Sequence, residues 1–177
     1  MNRHGGVLMT VILGLALGAC ASLPPAPACG GLPGGGVYCL QSTAAVMPFD
    51  VQQKIDMTRD GRRETLVVQL EVDALGMRMV GTTPFGQKLL QVAFDNRQLR
   101  LDAWPDKRLD PVLLMSLVQI ATWPAGSVSQ GLGDAAVLQD SSAARGVYRH
   151  GKPVVLIGYT RASPPFGNMA MTLPVAA

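Results

Sequence analysis

Charge is what this sequence has least of. Asp, Glu, Lys and Arg make up 15% of its 177 residues, low for a soluble protein, while 48% are hydrophobic. Few charges among many aliphatic residues point to a domain that keeps apolar surface for a ligand or a membrane. The formal charge of +3 includes Arg3, which lies in a removable leader. The remaining basic residues are scattered, without interleaved aromatics, which argues against a nucleic-acid partner. Histidine is nearly absent. His150 is the only one beyond the leader, and without clustered carboxylates it argues against a catalytic metal. No glycine-rich loop enters a helix to cradle phosphates. A Ser-His-Asp arrangement of Ser141 or Ser142 with His150 and Asp140 has no Gly-x-Ser-x-Gly behind it. Neither enzymatic activity nor a cofactor is expected. The length suffices for one domain with a full core and is short for two.

The amino terminus reads as a secretory leader. Arg3 supplies the positive start and Val7 to Leu17 a short apolar run, less than the roughly 20 residues that a membrane-spanning helix needs. It ends in Leu17-Gly18-Ala19-Cys20, which resembles the bacterial lipobox. That resemblance implies cleavage before Cys20 and acylation of its thiol, an anchor worth about 0.8 kcal/mol per buried CH₂. The alternative is an ordinary signal peptide cut at a nearby alanine. Ala21, rather than Asp, follows the cysteine. By resemblance to bacterial sorting rules this implies the outer membrane, with the domain facing the periplasm.

Leu23 to Gly36 is rich in Pro, Ala and Gly and reads as a flexible spacer. The expected organisation is therefore a signal peptide over 1–19, the lipidated cysteine and linker over 20–36, and a β domain over 37–177. Cys29 and Cys39 form an even pair in an oxidising compartment, so a disulfide is expected, the alternative being two free or metal-binding thiols.

The domain reads as an antiparallel meander. Phe49, Val51, Ile55 and Met57 alternate on one face, then Leu66, Val68, Leu70 and Val72 do so after an Asp60-Gly61 hairpin signal. Met77 and Met79 begin a third strand after Ala74-Leu75-Gly76. Leu90, Val92 and Phe94 form a fourth, and Leu99 and Leu101 a short fifth. Between the third and fourth lies Thr83-Pro84-Phe85-Gly86, whose proline and glycine suit a type I turn. Phe85 there either folds back onto the core or is presented outward. One helix is expected over Val112–Thr122, with Asp110 as cap and Pro111 in its first turn. It is apolar nearly all round, hence buried on most sides and laid over the sheet. Trp123-Pro124 ends it. Further strands are expected near Ala136–Gln139, Gly146–His150, Val154–Arg161 and Asn168–Leu173, with a hairpin turn at His150-Gly151-Lys152-Pro153.

Leu70-Glu71-Val72-Asp73, Gly81-Thr82-Thr83-Pro84-Phe85-Gly86-Gln87 and the series from Leu113 to Pro124 occur in an order that resembles a family of bacterial lipoproteins associated with aryl-polyene gene clusters. That family is similar to the LolB-like lipoprotein carriers. The resemblance implies an unclosed antiparallel barrel, mainly β within an α+β plan, with a helix in or over its concave face and acyl chains held between them. It also implies that Phe85, between Pro84 and Gly86, touches the membrane and assists release of cargo, where the carriers have a leucine. The implied partners are the membrane, an acylated lipid or lipoprotein, and a periplasmic LolA-like carrier. Met57, Leu70, Met77, Met79, Leu90, Val92, Leu113, Leu117 and Ile120 are the candidate cavity wall; each also suits an ordinary core. Met169 and Met171 share that ambiguity. Trp104 and Trp123 mark either packing or the rim of the site.

Overall fold

The computed structural model describes residues 28–59, 62–103, 110–133, 136–161 and 167–173. The leader, Cys20, the Asp60-Gly61 turn and Trp104 lie outside the described residues. The chain is mainly β, in antiparallel sheets that do not close.

The first element corrects the expected spacer. Residues 29–39 form a hairpin of β1 (Cys29–Gly31) and β2 (Val37–Cys39), with Cys29 directly opposite Cys39. The expected disulfide joins them, with an S–S distance of 2.02 Å. The glycines that suggested flexibility serve the turn: Gly34, Gly35 and Gly36 have φ of 74, 91 and 105°, a region that disfavours side chains. A short 3-10 turn, Thr43–Ala45, follows.

The meander then runs as expected through β3 (Phe49–Arg59), β4 (Arg62–Asp73), β5 (Gly76–Thr82), β6 (Lys88–Phe94) and β7 (Leu99–Ala103), in sequential order. Its register makes two apolar rows, Phe49–Val72–Met77–Phe94–Leu99 and Val51–Leu70–Met79–Val92–Leu101. The period of two puts polar residues on the other face, where Arg78 pairs with Glu71 at 3.7 Å. Two helices come next. In α1 (Pro111–Thr122) the Asp110 side chain accepts from the Val112 amide at 2.8 Å and Pro111 opens the first turn. None of its residues is exposed, as all-round apolarity requires. The second helix, α2 (Ala125–Gly131), is not legible in the sequence. Pro124 reads as a stop, yet it also starts the next helix, and the weak helix formers of Ala125–Gly131 give no periodic signal.

A four-stranded sheet completes the chain: β8 (Ala136–Asp140), β9 (Ala144–Arg149), β10 (Lys152–Tyr159) and β11 (Met169–Thr172), ordered β11-β10-β9-β8. The β9–β10 turn is His150-Gly151, one residue earlier than expected, and both residues have positive φ, as a two-residue hairpin turn demands. A register shift between Pro153 and Val155 lets the consecutive Val154 and Val155 both enter the core. One apolar core joins residues of both sheets, both helices and the β1–β2 hairpin.

Buried polar groups fix α1 within that core. Gln119 is fully buried. Its Oε1 accepts from the Tyr38 hydroxyl at 3.2 Å and the Gln41 amide at 2.7 Å, and its Nε2 donates to the Gln41 carbonyl at 2.9 Å. Arg145, 9% exposed, grips Asp140 with Nε and Nη2 at 2.9 and 3.0 Å. Its Nη1 donates to the carbonyls of Ile120 and Trp123 at 2.8 and 2.7 Å. Tyr159 donates to the Ala121 carbonyl at 2.8 Å. A cation at the negative end of the helix dipole, meeting its unpaired carbonyls, is the favourable arrangement.

Candidate functional site

The β5–β6 turn presents its aromatic outward. The Gly86 amide donates to the Thr83 carbonyl and the Thr83 amide to the Gln87 carbonyl, both at 2.9 Å. The Thr83 hydroxyl accepts from the Gln87 amide at 3.1 Å. Gly86 takes φ of 84°, so the loop is a tight turn followed by a left-handed glycine, a common three-residue hairpin. Pro84 and Phe85 occupy its two central positions. Phe85 is 98% exposed. The core alternative is thus overturned: a side chain at the crest of a turn so tightly bonded cannot reach back to the sheet's apolar face.

Packing of the domain is uneven along its length. At the end opposite Phe85, Asn96 of the β6–β7 turn accepts from the Thr43 amide at 2.8 Å and donates to the Thr43 hydroxyl and the Ala74 carbonyl. Trp123 donates its indole N–H to the Ser42 carbonyl at 3.2 Å and is itself buried, so α1 ends here and Trp123 is a packing residue. Parts of the core's rim stay accessible. On β4, Val68, Leu70 and Val72 are buried while Leu66 is half-buried, as is its cross-strand partner Ile55. On α1, Ile120 and Met115 are fully buried while Val112, Leu113, Leu114, Leu117 and Val118 are half-buried.

These burials sort the expected cavity wall. Leu70, Met77, Met79, Leu90, Val92 and Ile120 are brought together in the core, and Val92 and Ile120 have no accessible surface. A side chain without accessible surface borders no water-sized void, so at Val92 and Ile120 the core is filled rather than an open wall. Leu113 and Leu117 remain partly accessible on the same core. Met57 lies on β3, and its side chain falls outside the described residues. Met169 packs half-buried and Met171 is exposed. Two surface depressions lie elsewhere. One, of about 270 Å³, is near Leu75 and Arg100, and another, of about 630 Å³, lies over Gly146 and Gly158.

Ser141 and His150 are not brought together. They flank opposite ends of β9, about 17 Å apart at ~3.4 Å per residue. The Ser141 hydroxyl is engaged with Ala144 and Asp140 with Arg145. The sequence reading missed Arg145 and Gln119 because their partners lie 5 to 81 residues away, beyond any local pattern.

A family model described as a protein of unknown function, DUF3261, matches residues 50–174. The chain belongs to the DUF3261 family. The matched span takes in both helices and both larger sheets, and begins after the β1–β2 hairpin. Searches of curated proteins and of solved structures find no significant match. The DUF3261 segment thus holds Phe85, α1 and the Arg145 staple together.

Proposed function

We propose that this DUF3261 protein is a lipid-anchored, periplasm-facing outer-membrane lipoprotein that binds and transfers an acylated amphiphile, through a LolB-like arrangement of sheet and helix. The observation that carries this reading is Phe85, almost wholly exposed on a rigid turn. Such a residue loses its contact with water only against something apolar, and a bilayer supplies that. The half-buried apolar residues on α1, β3 and β4 add support. An acyl chain would enter between α1 and the β3–β4 end of the sheet by displacing half-buried Leu113, Leu117, Ile55 and Leu66. Burial at about 25 cal/mol per Å² would drive entry without nucleotide or covalent chemistry. Cys20 would hold the domain at the membrane and Phe85 would lower the barrier to release. The cargo is a lipoprotein or a pathway lipid, and a LolA-like carrier is the corresponding donor.

The test is native mass spectrometry with lipid extraction on the full chain purified in detergent. Stoichiometric acylated molecules beyond the anchor itself support the carrier. The second reading is a non-catalytic accessory lipoprotein acting through a protein partner, and the filled core at Val92 and Ile120 favours it. A chain that is empty as isolated and takes up no fluorescent fatty-acid probe decides for that reading.

A further inference from the structure

Among the described residues one half-buried cation is built into the fold without a counter-charge. Arg149, the last residue of β9, is half-buried, and its Nε has no accessible surface and no hydrogen-bond partner. It is the single buried side-chain nitrogen or oxygen in that condition among the described residues. Arg145, for comparison, makes four hydrogen bonds. Among the described residues no carboxylate oxygen lies within 4.0 Å of Arg149, His150 or Lys152. A buried donor left unsatisfied costs about 1–3 kcal/mol, more when charged, so its presence calls for an explanation.

The surroundings specify what kind. The Arg149 side chain lies against the β1–β2 turn. A Cβ on Gly35 would fall 2.6 Å from Nη1, and one on Gly36 would fall 3.6 Å from Cδ. Glycine at both positions therefore brings bare backbone to the guanidinium. The amides of Gly34 and Gly36 donate to no acceptor among the described residues. Across the tight His150-Gly151 turn, Lys152 stands opposite Arg149 in the ladder, and His150 and Lys152 are both exposed. A guanidinium fork, an ammonium, an imidazole and two free amides thus belong to two adjoining turns, with no acid among the described residues of either turn.

We propose that Arg149 is the centre of an oxyanion site that takes a phosphate group, completed by Lys152, His150 and the Gly34 and Gly36 amides. The fork alone would satisfy a carboxylate's two oxygens, whereas the further donors suit the additional oxygens of a phosphate. Nε itself has no accessible surface, so the anion meets the accessible Nη atoms of the half-buried guanidinium, beside the glycine turn that lies against Nη1. The phosphate belongs either to a lipid headgroup or to a free phosphorylated molecule, and the site is independent of the amphiphile reading.

The test is ¹H–¹⁵N NMR of the full chain in dodecyl maltoside micelles, which carry no phosphate, following the Arg149 Nε–H and the Gly34 and Gly36 amides. Inorganic phosphate is titrated at constant ionic strength. In a second arm, phosphatidylglycerol is added to the micelles. A saturable shift of these signals with phosphate assigns a free phosphate group, and a shift only with phosphatidylglycerol assigns a headgroup. R149Q abolishes either response. The K152A variant, altered only at an exposed position outside the positive-φ turn residues, weakens it about two- to fivefold. No shift in either arm, an equal shift with chloride, or an undiminished glycine response in R149Q overturns the proposal.

Discussion

Phe85 and Arg145 are residues of opposite kinds. Phe85 touches nothing in its own chain, so substituting it tests function without disturbing the fold. Phe85→Glu is expected to leave the urea midpoint within the range of a neutral surface change, about 0.5 kcal/mol. It should abolish transfer of bound amphiphile to vesicles, followed by a fluorescent acyl probe. A variant that unfolds, or one that transfers normally, removes Phe85 from the proposed mechanism. Arg145 has the reverse profile. Arg145→Met keeps much of the volume but leaves the Ile120 and Trp123 carbonyls without their donor and Asp140 without its cation. Because the guanidinium is buried, the expected loss is roughly 3 kcal/mol in urea denaturation. A loss below about 1 kcal/mol, the range of an exposed ion pair, would show that α1 is held mainly by its apolar contacts.

Among the elements, legibility follows the range of the forces that make them. The five-strand meander was readable because each strand carries its own alternation, from Val68, Leu70 and Val72 to Leu90, Val92 and Phe94, and turns of local chemistry join them. Helix α1 was readable from Asp110, Pro111 and an unbroken apolar run. The β1–β2 hairpin was not. Its composition is that of a linker, and it becomes a structural element only through distant contacts: the Cys29–Cys39 bond, Tyr38 on Gln119, and Gly30, where an added Cβ would sit 2.8 Å from Val112 Cγ1. The site divides in the same way. The Phe85 turn could be located but not its outward direction, which depends on the bonding of Thr83 to Gly86 and Gln87. The filled state of the expected cavity depends on how elements pack, which no single strand records. The hairpin's dependence on its crosslink is measurable. Replacing Cys29 and Cys39 with serine should cost about 2–3 kcal/mol, the loop-closure value for so short a loop. It should also speed hydrogen exchange at Tyr38 and Leu40 more than in β4 or β5. Uniform acceleration throughout would show instead that the hairpin unfolds only with the whole domain.

In the molecule as a whole, two tyrosine hydroxyls from separate parts of the chain meet α1 near its carboxyl end, and their titration reports on its cohesion. Burial pushes the Tyr38 hydroxyl well above the ordinary tyrosine range, with Arg145 nearby opposing the effect. Burial raises Tyr159 as well. In the unfolded chain both ionise near pH 10. Above that pH the unfolded state sheds protons that the folded state keeps, so stability falls as pH rises. Toward acid the sign reverses for Asp95. The Gln98 amide first, then the Arg97 amide and the Arg100 guanidinium, hold its carboxyl below the usual range. Its contribution is present above about pH 4 and fades as pH falls through the folded value. The stability profile should therefore be a plateau with an acid shoulder at the β6–β7 turn and a steeper alkaline decline centred on α1. Urea midpoints at pH 8 and pH 11 should differ, and Tyr38→Phe should lower the midpoint at pH 8 while shrinking the difference. Tyrosinate absorbance supplies the independent check, because Tyr38 should ionise only as the chain unfolds. If it titrates near pH 10 in the still-folded protein, the Tyr38–Gln119 contact is open to water, and the buried network that fixes α1 is not closed as the full burial of both side chains requires.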